Sequence, residues 1–418
     1  MIKPILSASR SVPGERPATR PARLLLTVPH RFFFLTGVIQ IAVIALWWAW
    51  VLAARAWPVV PAPAAAIPET SPHALVMLCG FAPFFMFGFL FTAGPRWLGV
   101  EPPPPSAWRP PGALAALAAL ALVPLEVAGL ANGQFLLRLA AGAYAAGWLG
   151  LAFVFYRLIR ASDAEDKLHA ILVFGALCVG ASVVAAFALF GPAAHGWVKG
   201  AGLWAFLLPV FVTVCHRMIP FFTASVVPFV NAFRPSWLLV AMIVAPVAHG
   251  VLEGMGRAAW TWIVDLPVAA LMLWLTVRWG FRQSLSNRLL AMLHIGFVWY
   301  GIGFLLAGAH SLLVLAGFPG LPAGSLHALA IGFASSLLMA MVTRVTCGHS
   351  GRTLAADRLT WALFALLQLT AVVRLGAAIA STPAWLAVAG LLWIGAFVPW
   401  CAKYAPVYWR VRADGRPG

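Results

Sequence analysis

The chain has few charged residues, and this shortage defines its class. Only 9% of its 418 residues are charged, and Asp and Glu together number 11. In contrast, 62% of the residues are hydrophobic and the mean hydropathy is +0.92. Soluble domains carry about a quarter charged residues, so a soluble fold is excluded. The composition predicts an all-α, polytopic integral membrane protein without a separate soluble domain.

Cysteine pairs and cysteine motifs are also missing. The five cysteines lie far apart, in or beside apolar segments, with no C-x-x-C and no C-x-x-C-H sequence. This spacing excludes a disulfide framework and the covalent attachment of haem through cysteine. A secretory signal is not recognisable either, because no short apolar core with a small-residue cleavage site follows the basic N-terminal residues. We expect residues 1–29 to form a disordered basic arm.

The chain has instead a series of apolar runs of membrane-spanning length. A helix needs roughly 20 apolar residues to cross a bilayer. By this criterion the sequence predicts a twelve-helix transmembrane bundle over residues 30–407, followed by a basic tail at 408–418. The predicted helices are 30–54, 72–94, 112–130, 134–158, 167–190, 197–219, 236–253, 258–280, 288–310, 323–346, 358–380 and 384–407.

The formal charge of +17 is explained by membrane topology. With the N-terminus inside, 23 of the 28 Lys and Arg residues fall on the inner side and four on the outer side, while Arg374 lies within a helix. Lys and Arg concentrate on the cytoplasmic side of membrane proteins. We therefore expect both termini in the cytoplasm, the lipid bilayer as the surrounding partner and no nucleic-acid partner.

Polar groups inside the apolar runs concentrate at one depth. In the twelve-helix topology the outer layer contains His73, His249, His310, His327, Glu126, Glu253, Asp265 and Arg374. Such groups are costly in hydrocarbon and mark functional sites. The pattern predicts a site that faces the outer leaflet.

His73 and His327 are the candidate haem ligands. Each opens a helix that runs inward, each is followed by Ala-Leu, and each shares its helical face with small residues. Such a face leaves room for a flat macrocycle, and histidine is an axial ligand of haem iron. Close helix packing is the alternative explanation of the small residues. We expect Arg374 to pair with a haem propionate or with an outer carboxylate, and His294, which lies deeper, is the rival axial ligand.

A second set of residues suggests a metal ion or a proton relay. His249 and Glu253 stand four residues apart on one helical face, and His310 ends a later helix at the same depth. An interfacial His–Glu pair is the alternative. His216 is a further candidate metal ligand, because Pro220 removes the helical partner of its carbonyl group. An ordinary helix end at the membrane surface, with Arg217 reaching water, is the alternative there.

Five segments resemble the NnrS family of membrane proteins. They are H-R-F-F-F-L at 30–35, G-F-L-F-T-A-G-P-R-W at 88–97, R-M-I-P-F-F-T at 217–223, L-H-I-G-F-V-W at 293–299, and the run from His327 to Arg352 that ends in G-H-S-G-R. The resemblance implies haem, copper and a role in nitric oxide metabolism. Seven residues match the family's motif positions, namely His73, His294, His327, His349, Arg217, Arg344 and Arg374. On this basis Arg217 joins the cofactor-binding candidates.

The chain departs from the family pattern in the second predicted helix. Where the family typically has H-A-H-E-M, residues 73–77 read H-A-L-V-M. The second histidine and the glutamate are absent, which leaves His249, Glu253 and His310 as their substitutes.

We expect a haem b protein of the bacterial inner membrane that binds nitric oxide and reduces it to N2O, as an oxidoreductase of the nitric oxide reductase type. Joining two NO molecules needs two electrons, two protons and a second metal, copper or non-haem iron, to hold the second NO. Glu253, Glu126 and Asp265 are the expected catalytic acids, and a quinol or a cytochrome is the expected electron donor. Two alternatives stay open: an NO sensor or buffer without turnover, and a transporter of a metal, an anion or haem.

Overall fold

The regular structure of the chain is helical. The computed structural model describes residues 24–228, 233–321, 323–380 and 382–415, and none of these residues lies in a strand. Most of the predicted arm, residues 1–23, lies outside the described residues. The first eight helices are α1 (Pro29–Ala56), α2 (Thr70–Cys79), α3 (Ala82–Leu98), α4 (Pro105–Val127), α5 (Gly133–Ala161), α6 (Leu168–Phe190), α7 (His195–Gly200) and α8 (Leu208–Val226).

The second half of the chain continues in the same way. Its helices are α9 (Ser236–Gly254), α10 (Trp262–Arg278), α11 (Phe281–Ser284), α12 (Arg288–Leu315), α13 (Gly324–His327), α14 (Ser336–His349), α15 (Arg358–Ala380) and α16 (Pro383–Tyr404). Proline at the first positions of α1 and α16 suits a helix start, because the missing N–H would have no intrahelical partner there.

Ten segments in the described ranges are long and apolar enough to cross a membrane. One of them, Leu168–Val226, is 59 residues long and covers two of the twelve predicted helices. The helix predicted at 258–280 corresponds to α10, whose 17 residues fall just below the length required of a span. The chain is therefore a multi-pass helical protein, and the count of twelve crossings stays a prediction.

The structure corrects two of the predicted helices. The helix predicted at 72–94 is broken at Gly80 and Phe81 into α2 and α3. The helix predicted to end at residue 219 instead continues through Pro220 to Val226. A proline removes one backbone hydrogen bond, but in hydrocarbon every other backbone group still needs an internal partner, which favours the helix.

Two π-helical segments interrupt the bundle. They are Ala201–Leu207, between α7 and α8, and Ala328–Ser335, between α13 and α14. A π-turn widens the helix and is frequent at functional sites. Both segments border the same cavity, described below.

The bundle has two ends, which we name by what they contain. At the tail end, where α1 begins, Arg31 donates from Nη1 to the carbonyl oxygen of Arg410 at 2.8 Å, and Arg412 donates to that of His349 at 3.0 Å. At the cavity end, where α1 finishes, Arg55 pairs with Glu69 at 3.1 Å. The C-terminal residues therefore pack against the start of α1 at the tail end.

Candidate cofactor cavity

A cavity of about 360 Å³ opens at the cavity end of the bundle. This volume lies within the roughly 300–1,000 Å³ of small-molecule and cofactor sites. Side chains from α1, α2, α7, α15, α16 and both π-helical segments line it, and most of them are apolar. Its polar lining consists of Thr70, His73, His195, Lys199, His327, Ser335, Thr370 and Arg374. The structure thus brings together three of the predicted cofactor residues, His73, His327 and Arg374.

His73 lies in the first turn of α2 with its ring held from one side. The imidazole stacks on the indole of Trp48, with centroids 3.6 Å apart and planes 18° apart. Its Nδ1 atom is buried and has no hydrogen-bond partner among the described residues. Buried polar atoms are rarely left unpaired, so this nitrogen is placed for a ligand.

His327 closes the short helix α13, directly before the second π-helical segment. Its Nδ1 lies 2.8 Å from the carbonyl oxygen of Ala323, a geometry in which Nδ1–H donates to that oxygen. Ala323 adopts a positive φ of 57°, which non-glycine residues seldom do, and its carbonyl oxygen also accepts the backbone N–H of His327 at 3.2 Å. A histidine that donates from Nδ1 carries its lone pair on Nε2, which is the state of a metal ligand.

Two further basic groups lie in the cavity wall without a full set of partners. The Nη1 atom of Arg374 and the Nδ1 atom of His195 are buried and unpaired within the described ranges. Lys199, one turn after His195 on α7, donates to Glu253 at 3.2 Å. The polar part of the cavity is therefore cationic and suits an anionic group such as a carboxylate.

A second cluster adjoins the cavity through Lys199. His249 Nδ1 lies 2.8 Å from Asp265 Oδ1, and His249 Nε2 lies 3.9 Å from Glu253 Oε2. Glu253 also accepts from the indole nitrogen of Trp204 at 3.0 Å. Asp265 is fully buried, and its Oδ2 has no partner among the described residues. The structure thus brings His249, Glu253 and Asp265 together, whereas the sequence grouped His249 and Glu253 with His310.

The predicted third member of the metal site is held differently. His310 accepts the backbone N–H of Leu321 on Nδ1 at 2.8 Å. Across the described residues, no three His, Cys, Asp or Glu side chains form a group that could hold a metal ion. A second metal at His249, Glu253 and His310 accordingly stays a prediction.

The other predicted site residues do not line the cavity. His294 is fully buried and bonds through Nε2 to the Thr223 hydroxyl at 2.8 Å. His216 lies 3.1 Å from His169, and the Arg217 guanidinium lies 4.9 Å from the centroid of Trp97. Glu126 is buried near the end of α4, and both its carboxylate oxygens are unpaired within the described part of the chain.

Sequence reasoning missed several residues that the structure brings together. The cavity lining includes Trp48, His195 and Lys199, although residue 195 lies between two of the predicted helices. The four-residue spacing of His195 and Lys199 was the available signal, since residues at i and i+4 share a helical face. At the tail end the rings of His30 and His349 also meet, with centroids 4.6 Å apart.

The fold and the cavity define a class: a multi-pass helical membrane protein with a largely apolar cavity that presents two histidines and an arginine. The model of the NnrS protein family matches residues 24–412, which is nearly the whole chain. The chain belongs to the NnrS family. This membership links it to nitric oxide-related function. No curated protein matched the sequence significantly.

Proposed function

We propose that this protein holds haem b in the cavity, binds nitric oxide there and reduces it to N2O. The observation that carries the proposal is the meeting of His73, His327 and Arg374 around one cavity with apolar walls. These residues come from α2, α13 and α15, which are far apart in the sequence. Their convergence agrees with the family's link to nitric oxide.

The residues present fit a haem. The unpaired His73 Nδ1 and the Nε2 lone pair of His327 are nitrogen donors that iron accepts. The unpaired Nη1 of Arg374 suits a propionate carboxylate, because a guanidinium in a poorly solvated wall needs an anionic partner. We therefore propose that His73 and His327 would hold the haem iron and that Arg374 would pair with a propionate. When bound, haem would supply a path for single electrons and, where NO takes the place of one of the two histidines, a site for NO.

The protein's own contribution is to exclude water, orient the imidazoles and supply protons. Apolar side chains form most of the cavity wall, so electrostatic interactions inside it are weakly screened. Joining two NO molecules as N2O consumes two electrons and two protons and releases one water. Glu253 bonds to Lys199 of the cavity wall, and His249 links Glu253 towards Asp265. We propose these carboxylates, with Glu126, as the proton source.

A second metal beside the haem is the finer part of the proposal. A histidine that binds a metal usually donates its other ring nitrogen to a carboxylate. The Nδ1 atom of His249 makes this contact with Asp265, and the Nε2 atom of His249 lies 3.9 Å from Oε2 of Glu253. Copper or non-haem iron between these two groups, with His310 as a further ligand after a local shift, would hold the second NO. His216 and Arg217 lie outside this arrangement.

The proposed setting is the bacterial inner membrane, with twelve crossings and both termini in the cytoplasm. The cavity end would then face the outer leaflet, where four of the 28 Lys and Arg residues lie, namely Arg55, Arg138, Lys199 and Arg257. Nitric oxide is uncharged and dissolves in lipid, so it reaches such a cavity from the bilayer. A quinol or a cytochrome would supply the electrons.

An absorption spectrum of the detergent-purified full chain tests the haem. We expect a Soret band that shifts when NO is added to the reduced protein. A protein that folds without haem and binds none would refute the proposal and favour a transporter. Consumption of NO with a chemical reductant then separates turnover from sensing: N2O formed over several turnovers supports reduction, and a single stoichiometric binding event refutes it.

A further inference from the structure

A second, smaller cavity lies within the bundle between α3, α8, α12 and α14. It has a volume of about 70 Å³ and is lined by Phe, Met, Leu, Ile, Val and Ala side chains and by Cys215. Among the described residues, no charged group and no hydroxyl group contributes to its lining. A wholly apolar space does not hold water well, since a water molecule needs polar partners.

The two cavities share part of their walls. Ala82, Phe211 and Leu338 line both of them. All three side chains are apolar, so the wall that the two cavities share is apolar. The smaller cavity therefore adjoins the proposed haem cavity.

The smaller cavity also approaches the lipid. Most of its lining is buried, but half-buried side chains on three helices form what we call its mouth: Phe89 on α3, Val214 and Met218 on α8, and Met341 and Val345 on α14. Phe89, Val214 and Met341 lie well inside apolar helices and so at hydrocarbon depth. The accessible side of the cavity consequently faces acyl chains rather than water.

Arginine residues flank the mouth, because Arg217 directly precedes Met218 and Arg344 directly precedes Val345. The ring of Phe89 contacts Trp97 at 5.5 Å between centroids, and Trp97 carries the Arg217 guanidinium at 4.9 Å. Arg344 lies 3.8 Å from the centroid of Phe222. Towards the tail end, the cavity is therefore bounded by aromatic rings that have arginine side chains against them. The apolar path does not continue in that direction.

We propose that the smaller cavity binds a small, neutral, apolar gas and passes it from the bilayer to the haem cavity. Its size and lining exclude ions and polar metabolites, whereas a diatomic gas is soluble in hydrocarbon and needs no hydrogen bond. The identity of the gas as nitric oxide rests on the proposed function. The existence of the gas site does not, since it depends only on the lining.

Xenon tests the gas site without reference to haem. Crystals of the full-length protein under xenon pressure should show an anomalous scattering peak among Val214, Leu338 and Met341. The variant Val214→Phe fills the mouth and should lose the peak. The control Val240→Phe makes the same change on α9, at a side chain that is 50% exposed, and should keep it. An unmodified protein without xenon in this cavity overturns the proposal.

Carbon monoxide kinetics test the route. After flash photolysis of the CO-bound ferrous protein in nanodiscs, Val214→Phe should slow CO association at least about fivefold relative to Val240→Phe. Dissociation should slow by the same factor and leave the affinity unchanged, because a barrier on the path affects entry and exit equally. The variant Met341→Trp, on the opposite side of the mouth, should slow CO association and dissociation in the same way.

The outcomes separate the two proposals. A protein with xenon in the cavity but no haem band sinks the proposed function and leaves the gas site standing. Normal haem with unchanged CO rates in both mouth variants refutes the route. A variant that weakens CO affinity instead of slowing both rates has disturbed the haem site and likewise counts against the route.

Discussion

The imidazole of His73 lies flat on the indole of Trp48, with centroids 3.6 Å apart, and this contact joins α2 to α1 beside the cavity. His327, on the neighbouring wall, is oriented by a hydrogen bond to Ala323 instead. One ring is therefore fixed by packing and the other by the carbonyl group of the residue that precedes its helix. Both contacts hold the plane of an imidazole that lines the cavity.

Replacing either of these histidines tests their assignment as haem ligands. His73→Ala and His327→Ala should each abolish or grossly alter the haem spectrum of the purified protein, because each removes an axial donor. His310→Ala, at the same end but with its ring bonded to Leu321, serves as the matched control. If His294→Ala bleaches the haem while the first two variants keep it, the site lies deeper, near Thr223.

Arg374 tests the position of a propionate. Arg374→Leu should weaken haem binding at least about tenfold, corresponding to about 1.4 kcal/mol, since it removes the proposed carboxylate partner. Arg374→Lys keeps the charge and should recover part of the affinity. Haem titration of the depleted protein measures both variants. Equal haem affinities of the wild type and both variants would show that Arg374 does not contribute to haem binding.

The His249 cluster should be separable from the haem. His249→Ala, Glu253→Ala and His310→Ala should spare the haem spectrum but remove a second ion and NO turnover, because these residues adjoin the cavity without lining it. Asp265→Asn, which alters the carboxylate bonded to His249, should weaken the ion by about 10–100-fold. Metal analysis measures the bound ion, and an NO electrode measures NO turnover. His169→Ala at the tail end is the control, and persistent turnover without the three residues would show that no second ion is required.

Asp357 provides a pH-dependent contribution outside the membrane-spanning segments. Its carboxylate caps α15 by accepting the Thr360 backbone N–H at 2.9 Å, and it pairs with Lys403. Burial works to raise the pKa of Asp357, but the hydrogen bonds from Lys403 and Thr360 outweigh it and lower the pKa to about 2. A depressed folded-state pKa stabilises the fold above the ordinary value near 4, and this stability is lost as the pH falls towards 2.

Two substitutions divide this contribution into its parts. Asp357→Ala should cost about 1 kcal/mol through loss of the cap. Asp357→Asn keeps a capping oxygen and should lose only the ion pair, which is worth below about 1 kcal/mol because the Asp357 side chain is 60% exposed. Thermal unfolding in detergent between pH 7 and pH 3 measures how the stability of the wild type and of each variant changes with pH. A wild-type and an Asp357→Ala protein that respond identically to acid would contradict it.

Reporter fusions test the topology. A fusion after residue 195 should report the periplasm, and fusions after residues 163 and 284 should report the cytoplasm, because 23 of 28 Lys and Arg residues then lie inside. The reversed result at any of the three points would overturn the proposed twelve crossings or their orientation. The fusion after residue 284 would also show whether α10, with its 17 residues, crosses the membrane.

The sequence by itself determined the helical class and the family, and it selected His73, His327 and Arg374. In hydrocarbon the backbone must satisfy its own hydrogen bonds, so apolar runs of sufficient length become helices whatever surrounds them. The position of a polar residue along such a helix then fixes its depth in the membrane. Histidines at a common depth could therefore be grouped from the sequence alone.

Only the tertiary structure decided which of those residues meet. Depth does not fix the rotation of a helix about its axis or the identity of its neighbours, because both depend on how all the side chains pack together. Packing turned His195 and Lys199 into the cavity, bonded His294 to Thr223, and bound a nitrogen of His310 to the backbone of Leu321. It also placed two cavities side by side at Ala82, Phe211 and Leu338, three residues that no local pattern in the sequence brings together.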